Sequence, residues 1–489
     1  MNSQIKKPSI LPLAIFAFAA VMIVVGIFVY NWLTNLTVEE IINSNFVSEI
    51  VRDNLNEDGE ELFNLLPTFL GYSKPYTYLV LFKNNTELRP GGGFIGSYAV
   101  LMADKGEVEL IVVEGTENLD GRAPESWDRK PPEPISKYLG LDTWYFRDSN
   151  WSPDYMVNAR RALEFYKGEG GELANEIDAV VAITPTVLEE MLRLTGPIEV
   201  EGIEFTSENV TETLEYEVEY GFLEKEITPK DRKKIMKPLM LTILNKMKSD
   251  LFYNYKTYIE TFGGLADQRH IMVYSTDKDI ENIINKHDWS GEQKTVAGDY
   301  LMWVDANMAA LKTDHAMERT LMYEIEKNEE GEYIANATMR YENTGSFDWR
   351  TTRYRTYARI FVPQGSELVD VEGSMAGDKT EEEGEVDQGQ ELGKQWFGTF
   401  ISIEPGDTKT LSFTYKLPEK IEGQIKNGSY TIYVQKQSGT IGHDLVLDLK
   451  FEKTIKNAEP EVALAKMQSG VYTIKSDLIL DRLFRMEFE

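Results

Sequence analysis

The sequence predicts a mixed α/β (α+β) domain followed by an immunoglobulin-like β-sandwich, with one N-terminal transmembrane helix. Three observations predict it: an uncharged apolar run over 10–30, strand-like apolar runs mixed with helical stretches to about residue 315, and period-two alternation beyond it.

The apolar run ILPLAIFAFAAVMIVVGIFVY would cover about 30 Å at ~1.5 Å per helical residue, the thickness of one bilayer core. Pro12 falls in the first turn, where a missing N–H is harmless, and Tyr30 and Trp32 fall where aromatic rings favour the interface. Lys6 and Lys7 lie before the run and the first charges after it are Glu39 and Glu40. The expectation is a cytoplasmic tail at 1–9, a helix crossing the lipid bilayer at 10–33, and the bulk of the chain outside the cytoplasm. A signal peptide cleaved near Ala17-Phe18-Ala19 is the alternative, but the apolar run continues well past that triplet.

At 489 residues the chain is long enough for several domains of roughly 150 residues. Lys and Arg number 51 against 81 Asp and Glu, a net charge of −30, which excludes a nucleic-acid partner. Cysteine is absent, so there is no disulfide, thiolate nucleophile or cysteine-based metal site, and a prokaryotic envelope is the expected setting.

Thr37 and Glu40 form a capping box ahead of a helical stretch, a second helix runs from 58 to 66, and 34–70 reads as a stalk. Strands are expected at 76–82, 94–102, 107–113, 177–184, 270–275 and 300–305. Helices are expected at 152–166 and 186–194, and a long one is opened by Thr228-Pro229 and reaches about 248. Strands without clean alternation imply a sheet covered on both faces, so 71–315 is assigned to the mixed α/β domain. Tyr333, Ala335, Ala337, Met339 and Tyr341 then share one face, as do Leu411, Phe413, Tyr415 and Leu417, and Leu445, Leu447, Leu449 and Phe451. With turn clusters between them, 316–452 is assigned to the β-sandwich. The run Glu381, Glu382, Glu383 and Glu385 reads as a solvated loop, and 453–489 as an extension ending in an amphipathic piece.

No HExxH, Walker or GxSxG motif is present, and His270, His287, His315 and His443 are scattered. Two segments carry candidate chemistry. In NNTELRPGGG (84–93), Gly91, Gly92 and Gly93 could expose successive amides as an anion nest, with Arg89 adding a bidentate guanidinium; the alternative is a hairpin loop needing positive φ. In FRDSNWSPDY (146–155), Ser152 and Pro153 can start a helix, while Arg147, Asp148, Asn150 and Asp154 could hold a metal ion, orient a phosphate or act as a base. A structural ion pair is the alternative there. Asp305, Asn307, Lys312 and Asp314 line either a cleft or a hinge network. Arg350, Arg353, Arg355 and Arg359 meet either an anionic polymer or neighbouring acids.

The strings NNTELRPGGGFIGSYAVL, FRDSNWSPDY, IDAVVAITPTVLEEMLRLTGPIEVEGIEFTSENV, DYLMWVDANMAALKTD and VQKQSGT, in this order, resemble membrane-anchored bacterial and archaeal proteins with the domain of unknown function numbered four-thousand-and-twelve. That resemblance implies an anchored extracytoplasmic protein of no established activity. A fainter resemblance is to the LytR-CpsA-Psr phosphotransferases. It implies that Arg89 and Arg147 bind pyrophosphate and that Asp148 assists a divalent cation such as Mg2+ or acts as a base. In that family an aspartate soon follows the loop arginine, whereas Pro90 and glycines follow Arg89.

Two functions follow. One is a phosphotransferase acting on polyprenyl-pyrophosphate-linked glycopolymers, which requires Arg89, Arg147, Asp148 and Asn150 to converge in one pocket and fails if both arginines are saturated by acids. The other, favoured for want of a full catalytic set, is a binding or structural module for components of the cell envelope.

Overall fold

Strand β1 (Tyr76–Asn84) is buried along almost its whole length, so it must be covered on two sides. The computed structural model, which describes residues 65–489, provides that cover. The expected tail, the transmembrane helix 10–33 and all but the end of the 34–70 stalk lie outside the described residues. Among the described residues no helix is long and apolar enough to cross a membrane. The chain divides into two units: one of residues up to Asn84, Phe94–Arg129 and Thr143–Glu292, the other of Asn85–Gly93, Lys130–Asp142 and Gln293–Glu489.

In the first unit β1 pairs antiparallel with β2 (Phe94–Asp104), which pairs with β3 (Glu107–Gly115). On its other side β1 runs parallel to β4 (Ile177–Ile183). After a small hairpin of β5 (Ile198–Val200) and β6 (Ile203–Phe205), β7 (Ile271–Ser275) closes the five-stranded order β3-β2-β1-β4-β7. Side chains alternate across this sheet. Tyr78, Val80, Ala99, Leu101 and Val181 pack with residues of the helices Pro185–Thr195 and Met236–Asp267, while Leu79, Leu81, Tyr98, Val100 and Val180 pack with those of the helix Tyr155–Gly168. The expected two-sided mixed sheet is therefore present. The long helix departs from expectation at both ends. Thr228 Oγ1 donates to Asp231 at 3.0 Å and closes a 3-10 turn, so the helix starts only at Met236 and then resumes across a kink at Asn254.

The second unit begins with β8 (Asp299–Val304), which the sequence reading placed in the preceding domain. It continues with β9 (Met317–Lys327), β10 (Tyr333–Asn343), β11 (Tyr354–Pro363), β12 (Glu367–Glu372), β13 (Asp387–Glu391), β14 (Lys394–Ile403) and β15 (Thr408–Lys416). Then come β16 (Ser429–Gln435), β17 (Asp444–Lys450), β18 (Ile455–Glu459), β19 (Val471–Asp477) and β20 (Arg482–Phe488). They form a six-stranded sheet, β12-β15-β10-β9-β17-β19, and a seven-stranded sheet, β13-β14-β11-β8-β16-β20-β18. Inward side chains of the two sheets meet at Trp303 with Phe413, Phe397 with Tyr415 and Tyr430 with Phe451. Along β10 burial alternates residue by residue, as its period-two pattern requires.

Two expectations need correction. An immunoglobulin-like sandwich is antiparallel throughout, but β17 runs parallel to β9 and β16 parallel to β8, so this is a different strand order. The stretch 453–489 is not an appended amphipathic piece: β18, β19 and β20 join both sheets, and the Phe488 ring packs tilted against Phe451 inside. The second unit also takes in chain from the first half of the sequence. In the helix Glu133–Leu139, Tyr138 stacks on Phe400 at 4.5 Å, and Lys137 pairs with Glu385 of the acidic loop.

Candidate functional site

The two candidate segments fall in different units. In the first unit Phe146–Asp148 forms a 3-10 turn and Asp154, not Ser152, caps the following helix, because its carboxylate reaches Val157 N at 2.9 Å. Ser152 supports the cap instead, accepting from Asp154 N at 3.2 Å, while its carbonyl and amide are bridged by the Asn158 side chain. The turn is fixed from outside as well. Trp144 Nε1 donates to Asp148 O at 2.7 Å, and Arg161, lying over the Trp144 ring, donates to Ser149 O at 3.0 Å. Asp148, Asn150 and Asp154 are all buried. Arg147 pairs with Asp120, at the end of the helix Thr116–Asp120, and not with the adjacent Asp148. Glu169, at the C-terminal cap of the next helix, accepts from Phe146 N at 2.8 Å and lies within hydrogen-bond reach of Asp120. Burial, then the Asp120 charge, raises Glu169 well above the usual carboxylate range; burial also raises Asp120, against the pull of Arg147.

Asp120 and Glu169 were not legible as partners of the turn, since nothing in their spacing marks them. Lys83 was missed too. It sits at a register shift in β1, fully buried, with its ammonium 4.5 Å from the Tyr155 ring, and burial pushes it down to about 7.

In the second unit the glycine loop is a hairpin tip bound into a polar network. Gly92 N donates to Arg89 O at 2.9 Å, closing a turn in which Gly92 and Gly93 have φ of 108° and 136°. Gly92 therefore turns its amide inward rather than offering it to an anion. The Arg89 guanidinium, 4% exposed, donates to Asn307 O at 2.7 Å and pairs with Glu87 at 3.2 Å. Asn307 is wholly buried: its amide donates to Leu88 O at 2.9 Å, its side chain to Asp314 Oδ2 at 2.9 Å, and its Oδ1 accepts from Ala310 N. Asp314 also accepts from Leu88 N at 3.0 Å, and Lys312 N donates to Arg350 O at 3.0 Å. Gln437, from the QKQSGT string, donates to the carbonyls of both Arg89 and Asp305. Where Gly439 passes Gly92, a Cβ would run into the Gly92 carbonyl at a φ of +80°. Gly439→Ala is expected to lower unfolding free energy by about 1–3 kcal/mol in a denaturant titration.

The centre of this network is Arg319, which bonds Asp305 through Nε at 3.1 Å and Asp314 through Nη2 at 2.6 Å. Tyr341 and Thr356 complete Asp305, and Tyr354 completes Asp314. Burial raises Asp305 above its ordinary value, with Arg319 opposing, while burial, Arg319 and Lys436 push His443 down to about 3. Arg319 could have been found: it shares the parity of Leu321, Tyr323 and Ile325 on β9, so it points inward. Asp305, Asn307, Lys312 and Asp314 therefore belong to a structural network rather than a lined cleft. Arg353, Arg355 and Arg359 pair with Glu404, Asp378 and Glu391, the outcome in which the arginine strip meets neighbouring acids. Among the described residues no group of three or more His, Asp or Glu side chains is placed to hold a metal ion, so the Mg2+ expectation gains no ligand set.

No curated protein matches the chain. Among solved structures, a putative nutrient binding protein from Legionella pneumophila matches at 7% identity and a TM-score of 0.23, over 38% of this chain and 71% of that one. An M1 zinc metallopeptidase from Deinococcus radiodurans matches at 9% identity and a TM-score of 0.17, over 35% of this chain and 42% of that one, less than half the enzyme's length. Neither likeness carries an argument about fold or function. Residues 73–218, from the first strands of the five-stranded sheet to the helix Val210–Tyr216, match the family model described as protein of unknown function (DUF4012).

Proposed function

We propose that this chain is a non-catalytic binding and structural module of a prokaryotic cell envelope, held at the membrane by residues 10–33 with its bulk outside the cytoplasm. One observation carries the reading: the arginine best suited to a phosphate is spent internally, with Arg89 buried and shared between Asn307 O and Glu87. Arg147 is likewise engaged by the buried acid Asp120. An arginine already bonded in a desolvated site would have to break those bonds to take up a diphosphate, leaving backbone carbonyls unsatisfied. The two-sheet unit, ordered by its own network, is the part assigned to partner binding.

The phosphotransferase alternative resembling LytR-CpsA-Psr enzymes is tested directly. Full-length protein purified from its membrane and analysed by mass spectrometry for polyprenyl phosphates should carry none, and Arg89→Ala should lower stability without altering that result. Wild type carrying the lipid, with a folded Arg89→Ala variant lacking it, would overturn the proposal.

A further inference from the structure

Two buried carboxyl groups clamp the Phe146–Asp148 turn, and neither has a donor of its own for its inner oxygen. Asp120 is 5% exposed and Glu169 is fully buried. Among the described residues Asp120 Oδ1 and Glu169 Oε2 receive no hydrogen bond from a donor, although the two groups lie within hydrogen-bond reach of each other. Ionised carboxylates only accept, so as two anions these groups would repel at contact distance in a desolvated site. One proton turns one of them into a donor and satisfies both. We propose that Asp120 and Glu169 share a single proton, and that this proton is a latch holding the Phe146–Asp148 turn between two helices and releasing it when lost.

The connections make the coupling direct. Glu169 holds the turn through Phe146 N, and Asp120 holds it through Arg147, so both contacts depend on the pair staying together. The charged groups facing the pair are Arg147, which favours ionisation of both, and Asp148, which opposes ionisation of Asp120. Glu117, on the same short helix as Asp120, is occupied by Lys233 and Arg232. On the helix Tyr155–Gly168, Arg161 is turned to Ser149 O, and Glu164 pairs with Arg129. Tyr98 and Tyr166, packed against Phe146, are raised above their ordinary range by burial and stay neutral. With the proton bound, one positive charge faces two negative ones; without it, Arg147 faces three.

The direction of pH dependence follows. Glu169 is raised in the folded state, so the latch is closed at neutral pH and opens as pH rises through that elevated value. The test is hydrogen–deuterium exchange of the 143–154 peptide in the full chain, corrected for intrinsic rates, scanned between about pH 7 and pH 10. Wild type should lose protection across the scan by at least about tenfold. Glu169→Gln, whose amide donates to Asp120 while its oxygen accepts from Phe146 N, should stay protected throughout. Should that variant not fold, Asp120→Asn replaces it: its amide donates to an ionised Glu169, so protection should no longer vary with pH. A wild-type turn protected equally across the range, or a substituted chain that keeps the wild-type transition, overturns the latch.

Discussion

Arg319→Met is expected to lower the unfolding free energy by about 3–5 kcal/mol, because it leaves two buried carboxylates without their shared cation. Asp305 and Asp314 are both almost inaccessible to water, and among the described residues Arg319 is the only cation bonded to both. Each keeps neutral donors, Tyr341 and Thr356 for Asp305 and Tyr354 for Asp314, but none carries a compensating charge. Replacing all three charges together, with Asp305→Asn and Asp314→Asn added, should recover much of the loss, since an uncharged network removes the desolvation cost along with the attraction. Denaturant titration of the two proteins measures the difference. A loss below about 1 kcal/mol for the single change, the range of a solvated pair, would show that the triad is not desolvated in solution. The effect should also reach the glycine hairpin, because Asp314 accepts from Leu88 N and Asn307, and Asn307 O holds Arg89.

The second large effect is a pH dependence centred on Asp299, which lies between the sheets and among the described residues is bonded by no cation. Tyr323 and Tyr430 donate to Oδ2 at 2.8 and 2.5 Å, and Tyr300 N donates to Oδ1 at 2.7 Å. Burial raises this carboxyl from 3.8 to about 6 despite those three donors. Its folded value is above its unfolded one, so ionised Asp299 costs stability at neutral pH, and the cost is relieved as pH falls through 6 towards 4. At ~1.4 kcal/mol per tenfold in acidity, the full relief is roughly 3 kcal/mol. Wild type should therefore gain about 2 kcal/mol relative to Asp299→Asn between pH 7 and pH 4, with the remainder below pH 4. The difference between the two stability curves isolates this group from other titrations. A flat difference would falsify the assignment.

What could be read from the residues depended on whether the governing interaction was local. Period-two alternation along 333–341 sets which face of β10 is buried, and the two-sided apolar runs at 76–82 and 177–183 require cover on both faces; both follow from neighbouring residues alone. The parallel pairing of β17 with β9 and β16 with β8 does not, because strand neighbours far apart in sequence leave no mark on their own alternation. The candidate site divides in the same way. Arg89, Arg147 and Asp148 were conspicuous as charged residues near glycines or a helix start, but their partners Asn307 and Asp120 lie too far along the chain to be inferred from spacing.

The composite second unit has a consequence for synthesis. Arg89 and Gln437 are 348 positions apart, yet the side chain of one closes on the backbone of the other. During translation the first unit can complete its sheet while the hairpin tip at Asn85–Gly93 and the helix Glu133–Leu139 wait for strands that emerge much later. A chain stopped short of Gln437 would thus present a flexible, protease-accessible tip on an otherwise finished first unit, a built-in mark by which quality-control proteases could distinguish unfinished copies from complete ones.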